Sequence, residues 1–173
     1  LKQNAQQALD KLQDWDFTDD VNLAQPLIFN QWFKEIERLL FEEIDEDVQN
    51  LFSGKEQTAD ILLRKGNDSL WIQKHGSMEK LLQKSLETTI DELETAYGKM
   101  QENWRWGDFH QVQFKHPLAS AHKILAYLFN AVDPLEVDGS AVTPLAARSE
   151  EDGLVNHGAS WRFVIDLDQA DLG

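Results

Sequence analysis

At 173 residues and 19.9 kDa the chain is long enough to bury a sizeable core as one domain or two small ones, and 42% hydrophobic with 27% charged residues is too apolar for wholesale disorder. Its 16 Lys and Arg against 31 Asp and Glu leave a formal charge of -15, so phosphate backbones and anionic headgroups repel it, which argues against nucleic-acid and membrane-surface partners. No cysteine is present, which removes disulfides, thiolate metal sites and cysteine nucleophiles and leaves the compartment open.

No run approaches the roughly 18 to 20 apolar residues of a membrane span, and Leu1-Lys2-Gln3-Asn4 lacks the apolar stretch of a signal peptide. Because the chain opens on Leu1 rather than methionine, it is expected to be cut from a longer one. The missing signal then says nothing about export of the parent.

From Leu23 to Ile44 the residues Leu27, Ile28, Trp32, Phe33, Ile36, Leu39, Leu40 and Ile44 recur at helical spacing, with Lys34, Glu35, Glu37, Arg38, Glu42 and Glu43 between them. That spacing predicts one amphipathic helix, capped by Asn22 or Thr18, with Pro26 in its first turn where the missing N–H costs nothing. Thr58 to Lys65 reads as a short helix stopped by Gly66. Asn67-Asp68 is the expected cap of another carrying Leu70, Trp71 and Ile72 and ended by Gly76. Ser77 then caps a long helix to about Met100, with Leu81, Leu82, Leu86, Ile90, Leu93 and Tyr97 along one stripe.

The character changes at Trp104-Arg105-Trp106-Gly107. Val112 and Phe114 alternate with Gln111, Gln113 and Lys115, which predicts a half-buried strand ended by His116-Pro117. A short helix over 120–130 and a loop containing Asp133-Pro134 and Asp138-Gly139 follow. Trp161, Phe163, Ile165 and Leu167 then face one side of the clearest strand, with Arg162, Asp166 and Asp168 on the other. A strand needs neighbours for its backbone groups, and few other strand candidates exist here, so the segment is expected to join a sheet formed by residues outside the chain. The fold class is therefore α+β: a helical region over 1–103, then a mixed strand and helix segment over 104–173 belonging to a larger sheet in the full-length protein.

Candidate chemistry is thin. None of the eight serines sits in a Gly-x-Ser-x-Gly elbow, so capping or turn duty is the reading for Ser53, Ser69, Ser77, Ser120 and the rest. His110, His116 and His122 fall six residues apart with Asp108 close by, a spacing that fits neither the i,i+4 ligand pairs of a helix nor the i,i+2 pairs of a strand. They read as polar or core histidines, and His75 and His157, beside glycines, as loop residues. Glu42 with Glu43, Asp45 with Asp47, and Glu150 with Glu151 read as solvated faces, because acid–base work needs a partly desolvated cleft. The six tryptophans are core anchors, with Trp104 and Trp106 the pair that could instead line a pocket. No catalytic, cofactor-binding or metal-ligating residue is assigned.

The string Trp-Arg-Trp-Gly-Asp-Phe-His-Gln-Val-Gln-Phe-Lys-His-Pro-Leu from Trp104 to Leu118 resembles a stretch of the penicillin amidase family of N-terminal-nucleophile hydrolases. Gly158 to Leu167 is similar to that family's Gly-x-Ser-(aromatic)-Arg-x-x-x-Asp-Leu strand. Leu12-Gln13-Asp14-Trp15-Asp16, through Phe29, Trp32 and Phe41, is similar to the helical part preceding both. Order and approximate separations match over essentially the whole chain. The loop over 138–144 departs from the family pattern, with Thr143-Pro144 where a Thr-Val-Asn-like sequence is usual.

The resemblance implies an internal segment from the later half of the family's β chain. A serine that opens the β chain attacks the amide with its own α-amine as base, and that serine, the oxyanion asparagine and the calcium ligands all belong to stretches before Leu1. On this reading the segment is non-catalytic and cofactor-free. The parent, to which calcium is open, hydrolyses linear amides of acylated amines and is exported to the periplasm or medium. The partners are the rest of the same precursor, the α chain and remaining β chain, together with a small acylated amine. A free-standing helical interaction module without activity is the main rival, and a His-ligated metalloenzyme the second. Reading the gene separates the first two: an open reading frame running several hundred residues upstream with an internal Ser-Asn start is expected, and a start codon near Leu1 would favour the module.

Overall fold

A computed structural model describes residues 1–51, 54–99, 101–114, 119, 124–125, 133–159, 161 and 163. Its contacts divide the chain into two compact units, one of residues 1–18 and 23–106 and the other of residues 19–22 and 107–173.

The first unit is helical: α1 (Gln3–Gln13), α2 (Gln25–Phe41), α3 (Glu46–Leu51), α4 (Lys55–Lys65), α5 (Leu70–Gln73) and α6 (Met78–Tyr97). The periodic stripe of α2 buries Leu27, Ile28, Ile36, Leu39, Leu40 and Phe41, and α6 buries Leu81, Ser85, Leu86, Thr89, Ile90 and Leu93. These faces supply the apolar area that stabilises helices whose other sides are charged. Trp32 donates its indole N–H to Ser85 Oγ at 2.8 Å, so this hydroxyl of the α6 stripe is matched by a donor from α2, whereas the Thr89 hydroxyl, one turn further on, is buried without a hydrogen-bond partner among the described residues.

Several helix ends differ from the sequence reading, among them the start of α4 at Lys55 rather than Thr58 and the end of α5 at Gln73 rather than Gly76. Neither Asn22 nor Thr18 caps α2; the position is Ala24, whose carbonyl accepts from Ile28 N at 3.0 Å, and Pro26 does lie in the first turn. The helix stops at Phe41 rather than Ile44, because the backbone N–H of Ile44 turns back to Phe41 O and Asp45 opens the next helix by accepting from Val48 N and Gln49 N. Asn67 does not cap α5, which starts after Ser69; its side chain accepts instead from Met78 N at 2.7 Å. Ser77 caps α6 as read, accepting from Lys80 N, and the helix ends at Tyr97 beside Gly98.

One backbone angle is unusual. Phe17 has φ 63°, left-handed for a side chain that is 75% exposed. Its ring lies 5.3 Å from that of Trp15, which in turn lies 5.5 Å from Phe29, so an aromatic row runs along this surface.

Among its described residues the second unit contains the single turn α7 (Trp106–Phe109, shared with the end of the first unit) and four short strands: β1 (Gln111–Val112), β2 (Leu135–Glu136), β3 (Ala147–Ser149) and β4 (Val155–Gly158). β1 pairs antiparallel with β2, and β3 with β4. The predicted strand through Phe114 is therefore cut to two residues. Phe114 is 71% exposed, because the ladder ends at Val112 and leaves it no sheet face to pack on. β2, β3 and β4 lie where a loop was expected. β3 and β4 are joined through Glu150 to Leu154, where Gly153 takes φ 83° and a Cβ would meet Phe109 O at 2.1 Å. The rings of Trp161 and Phe163 lie 5.8 Å apart, tilted by 51°, with 81% and 69% exposure, and neither residue lies in a strand; the rest of the expected 161–167 strand, and most of the helix over 120–130, fall outside the described residues.

Glu37 on α2 offers a test of this packing. Burial first, then repulsion from Glu56, pushes its carboxyl up to about 7, against the pull of Lys55 and Lys34. A raised carboxylate pKa stabilises the fold fully below the unfolded value near 4.5, and that contribution is lost as pH rises through about 7. Glu37→Gln should therefore raise the urea midpoint at pH 8 and leave it nearly unchanged at pH 4.5. An equal gain at both values would show that the group is not desolvated.

Candidate functional site

Among the described residues of the second unit, buried polar groups gather around His110. The imidazole follows α7 and is fully buried. Nδ1 lies 2.6 Å from Val137 O and Nε2 lies 2.8 Å from Ala147 O. The main chain repeats the grip, since Val137 N donates to His110 O at 3.1 Å. His110 thus ties the two ends of the 137–147 loop to one side chain.

Segment 19–22 holds the middle of the same loop. Asp19 O accepts from Gly139 N at 2.7 Å, and Asp138 Oδ1 accepts from Val21 N at 2.8 Å. Ser140 donates to the Asp19 carboxylate, which burial pushes above the usual range while the Ser140 bond and the nearby His110 pull it down. Inside the loop, Thr143 Oγ1 accepts from Ser140 N at 2.8 Å and lies 3.0 Å from Leu145 O. Gly139 has φ 83° and a Cβ there would fall 2.0 Å from Leu145 O, so no other residue fits this close approach.

Asp19, Ser140 and His110 are the residue types of a nucleophilic triad, and all three are buried. The geometry is not that of a triad. A serine becomes nucleophilic when an imidazole nitrogen takes its proton, and here each ring nitrogen faces a carbonyl oxygen, which only accepts. Ser140 bonds to the carboxylate instead. The arrangement fixes a loop and is not arranged to activate an attacking oxygen.

The residues weighed from sequence are dispersed. Asp108 and His157 are exposed, the latter on β4 rather than in the expected loop, and His116 and His122 lie outside the described residues. Among the described residues no group of three His, Asp or Glu side chains is placed to hold a metal ion. Glu42, Glu43, Asp45, Asp47, Glu150 and Glu151 are exposed. Trp104 and Trp106 are 1% and 2% exposed, and the Trp104 N–H is satisfied by Gly98 O at 2.8 Å. Ser69 is buried but caps no helix through its side chain, and Ser53 and Ser120 are outside the described residues. Asp19 and Ser140 were missed because nothing local signals a pair 121 residues apart.

Replacing His110 with alanine empties a fully buried site and removes the imidazole N–H from the carbonyls it faces, a loss of about 1 to 3 kcal/mol from the unpaired acceptor alone, whereas His157→Ala removes an exposed ring and should change stability by less than about 0.5 kcal/mol. Chemical denaturation of both variants checks this. Equal losses would remove His110 from its role as the loop's anchor.

No curated protein matches the chain. Among the described residues no helix is long and apolar enough to cross a membrane. A family model described as penicillin amidase matches residues 1–172, the same stretch over which Trp15, Trp32, Trp104 to Leu118 and Gly158 to Leu167 carried the resemblance. With all but one residue inside that match, the chain belongs to the penicillin amidase family of hydrolases.

Proposed function

We propose that residues 1–173 are a scaffolding segment of a penicillin-amidase-type hydrolase that cleaves a linear amide between an acyl group and an amine, with the nucleophile supplied by polypeptide outside this stretch. The observation that carries the reading is the His110 side chain, both of whose ring nitrogens face backbone carbonyls at 2.6 and 2.8 Å. Combined with family membership, it favours a role in which these residues shape and support a site rather than perform attack or proton transfer. On this proposal the working partners are the remaining chains of one precursor, and the mature enzyme acts in the periplasm or medium.

The purified 173-residue chain is expected to leave phenylacetyl, phenoxyacetyl and long-chain acyl amides unhydrolysed above background. The full-length protein should hydrolyse at least one of them. Turnover by the 173-residue chain alone would overturn the assignment of chemistry to other residues.

A further inference from the structure

The first unit contains an apolar cavity of about 400 Å³. Phe41 and Ile44, at and just past the end of α2, Val48 and Leu51 on α3, Leu62 on α4 and Trp71 on α5 form its walls. Val48 and Leu51 are 54% and 86% exposed, so the space is open to solvent on the α3 side. Of the polar side chains that also line it, two are satisfied within the chain. Gln49 Nε2 donates to Phe41 O and Ile44 O at 3.0 and 2.8 Å, and the Thr58 hydroxyl donates to Gly54 O at 3.1 Å.

The third is Lys55, the one charged side chain among the described residues of the lining, in a chain where acidic residues outnumber basic ones 31 to 16. Its Nζ lies 3.4 Å from Gln49 Oε1, a long bond that uses one of three donors, and among the described residues it forms no ion pair with a carboxylate. Lys55 also opens α4, and Gly54 before it contributes no side-chain cap, so the positive end of that helix adds to the field at the same edge. Glu42, Glu43, Asp45, Asp47 and Glu56, its neighbours in sequence, are exposed and line no part of the cavity, so solvent screens them. The ring of Trp71 already carries the Lys74 ammonium at 5.2 Å, and that ammonium pairs with Glu43, so the chain itself supplies this wall with its cation. What the cavity leaves unmatched is an ammonium with donors to spare at the edge of hydrocarbon walls.

We propose that this cavity binds an amphiphilic carboxylate, its alkyl or aryl body against Phe41, Ile44, Leu62 and Trp71 and its head on the Lys55 ammonium. The walls supply contact area, and the single ammonium supplies the preference for an anionic head over a neutral or cationic one. Glu37 on α2 gives a second readout. Lys55 pulls its carboxyl down against burial and Glu56, so a carboxylate that neutralises Lys55 should push Glu37 higher. The proposal rests on the first unit alone and does not depend on the amide-hydrolase reading.

Titrating the methyl-labelled chain near neutral pH with sodium octanoate, octan-1-ol and octylammonium chloride tests the proposal by NMR. Octanoate should shift the methyls of Ile44, Val48 and Leu62 saturably and raise the titration midpoint of Glu37, with octanol weaker by about threefold or more and octylammonium weaker still. Lys55→Met should bring octanoate down to the affinity of octanol, whereas Lys55→Arg should keep the preference. Should Lys55→Met fail to fold, the Glu37 midpoint in the unaltered chain decides the matter, because octanoate should raise it and octanol leave it in place. Octanol or octylammonium binding as tightly as octanoate, no saturable shift with octanoate, a preference unchanged in Lys55→Met, or a Glu37 midpoint that octanol moves as far as octanoate does would overturn the proposal.

Discussion

A buried imidazole cannot be left without partners, and in the second unit His110 meets that requirement by reaching Val137 O and Ala147 O, the two ends of one loop. The pairing β1 with β2 and the start of β3 lie beside those carbonyls, so the side chain sets the positions of strands too short to hold themselves. Asp19 and Gly139 then fasten the middle of the loop through a backbone bond of 2.7 Å, and Val21 N adds a 2.8 Å bond to the Asp138 carboxylate. The same contacts that hold the loop occupy the groups a hydrolytic centre would need. The position of the loop and the absence of triad geometry among Asp19, Ser140 and His110 therefore have a single cause.

The first unit is organised by a different force. Its helices are individually weak, with short pieces such as α3 and α5 and heavily charged outer faces, and they persist because α2 and α6 bury matching apolar stripes. Some polar groups enter this core in matched pairs, as with Trp32 and Ser85, and others, such as the Thr89 hydroxyl, are buried without a partner among the described residues. Where a carboxylate is half-buried without such a match, as at Glu37, the protonated form is favoured.

The two units were not equally legible in the sequence. α2 and α6 were visible because their apolar residues recur every three or four positions over many turns, and the Ser77 cap and the stop at Gly66 follow from local backbone chemistry, whereas α5 ends at Gln73, short of the expected stop at Gly76. Caps that depend on tertiary contacts were not: Asn67 accepts from Met78 N, eleven residues away, rather than capping α5. β2, β3 and β4 are two to four residues long, too short for alternation to appear, and their pairing is set by distant partners. Phe114 alternated correctly yet is exposed, because period reports a potential face and not the presence of something to cover it. The family was legible because its signal is spread through Trp15, Trp32, Trp104 to Leu118 and Gly158 to Leu167. The assembly of Asp19, Ser140 and His110 was not, since it comes from folding a segment 121 residues distant onto Ser140.

The claim that this stretch supports rather than performs catalysis is tested most directly by trapping the nucleophile. Treating the active full-length hydrolase with a sulfonyl fluoride and mapping the adduct by mass spectrometry should place the modification on a serine outside these 173 residues, with Ser140 untouched. A stoichiometric adduct on Ser140, or on any other serine of this chain, accompanied by loss of activity, would contradict the account.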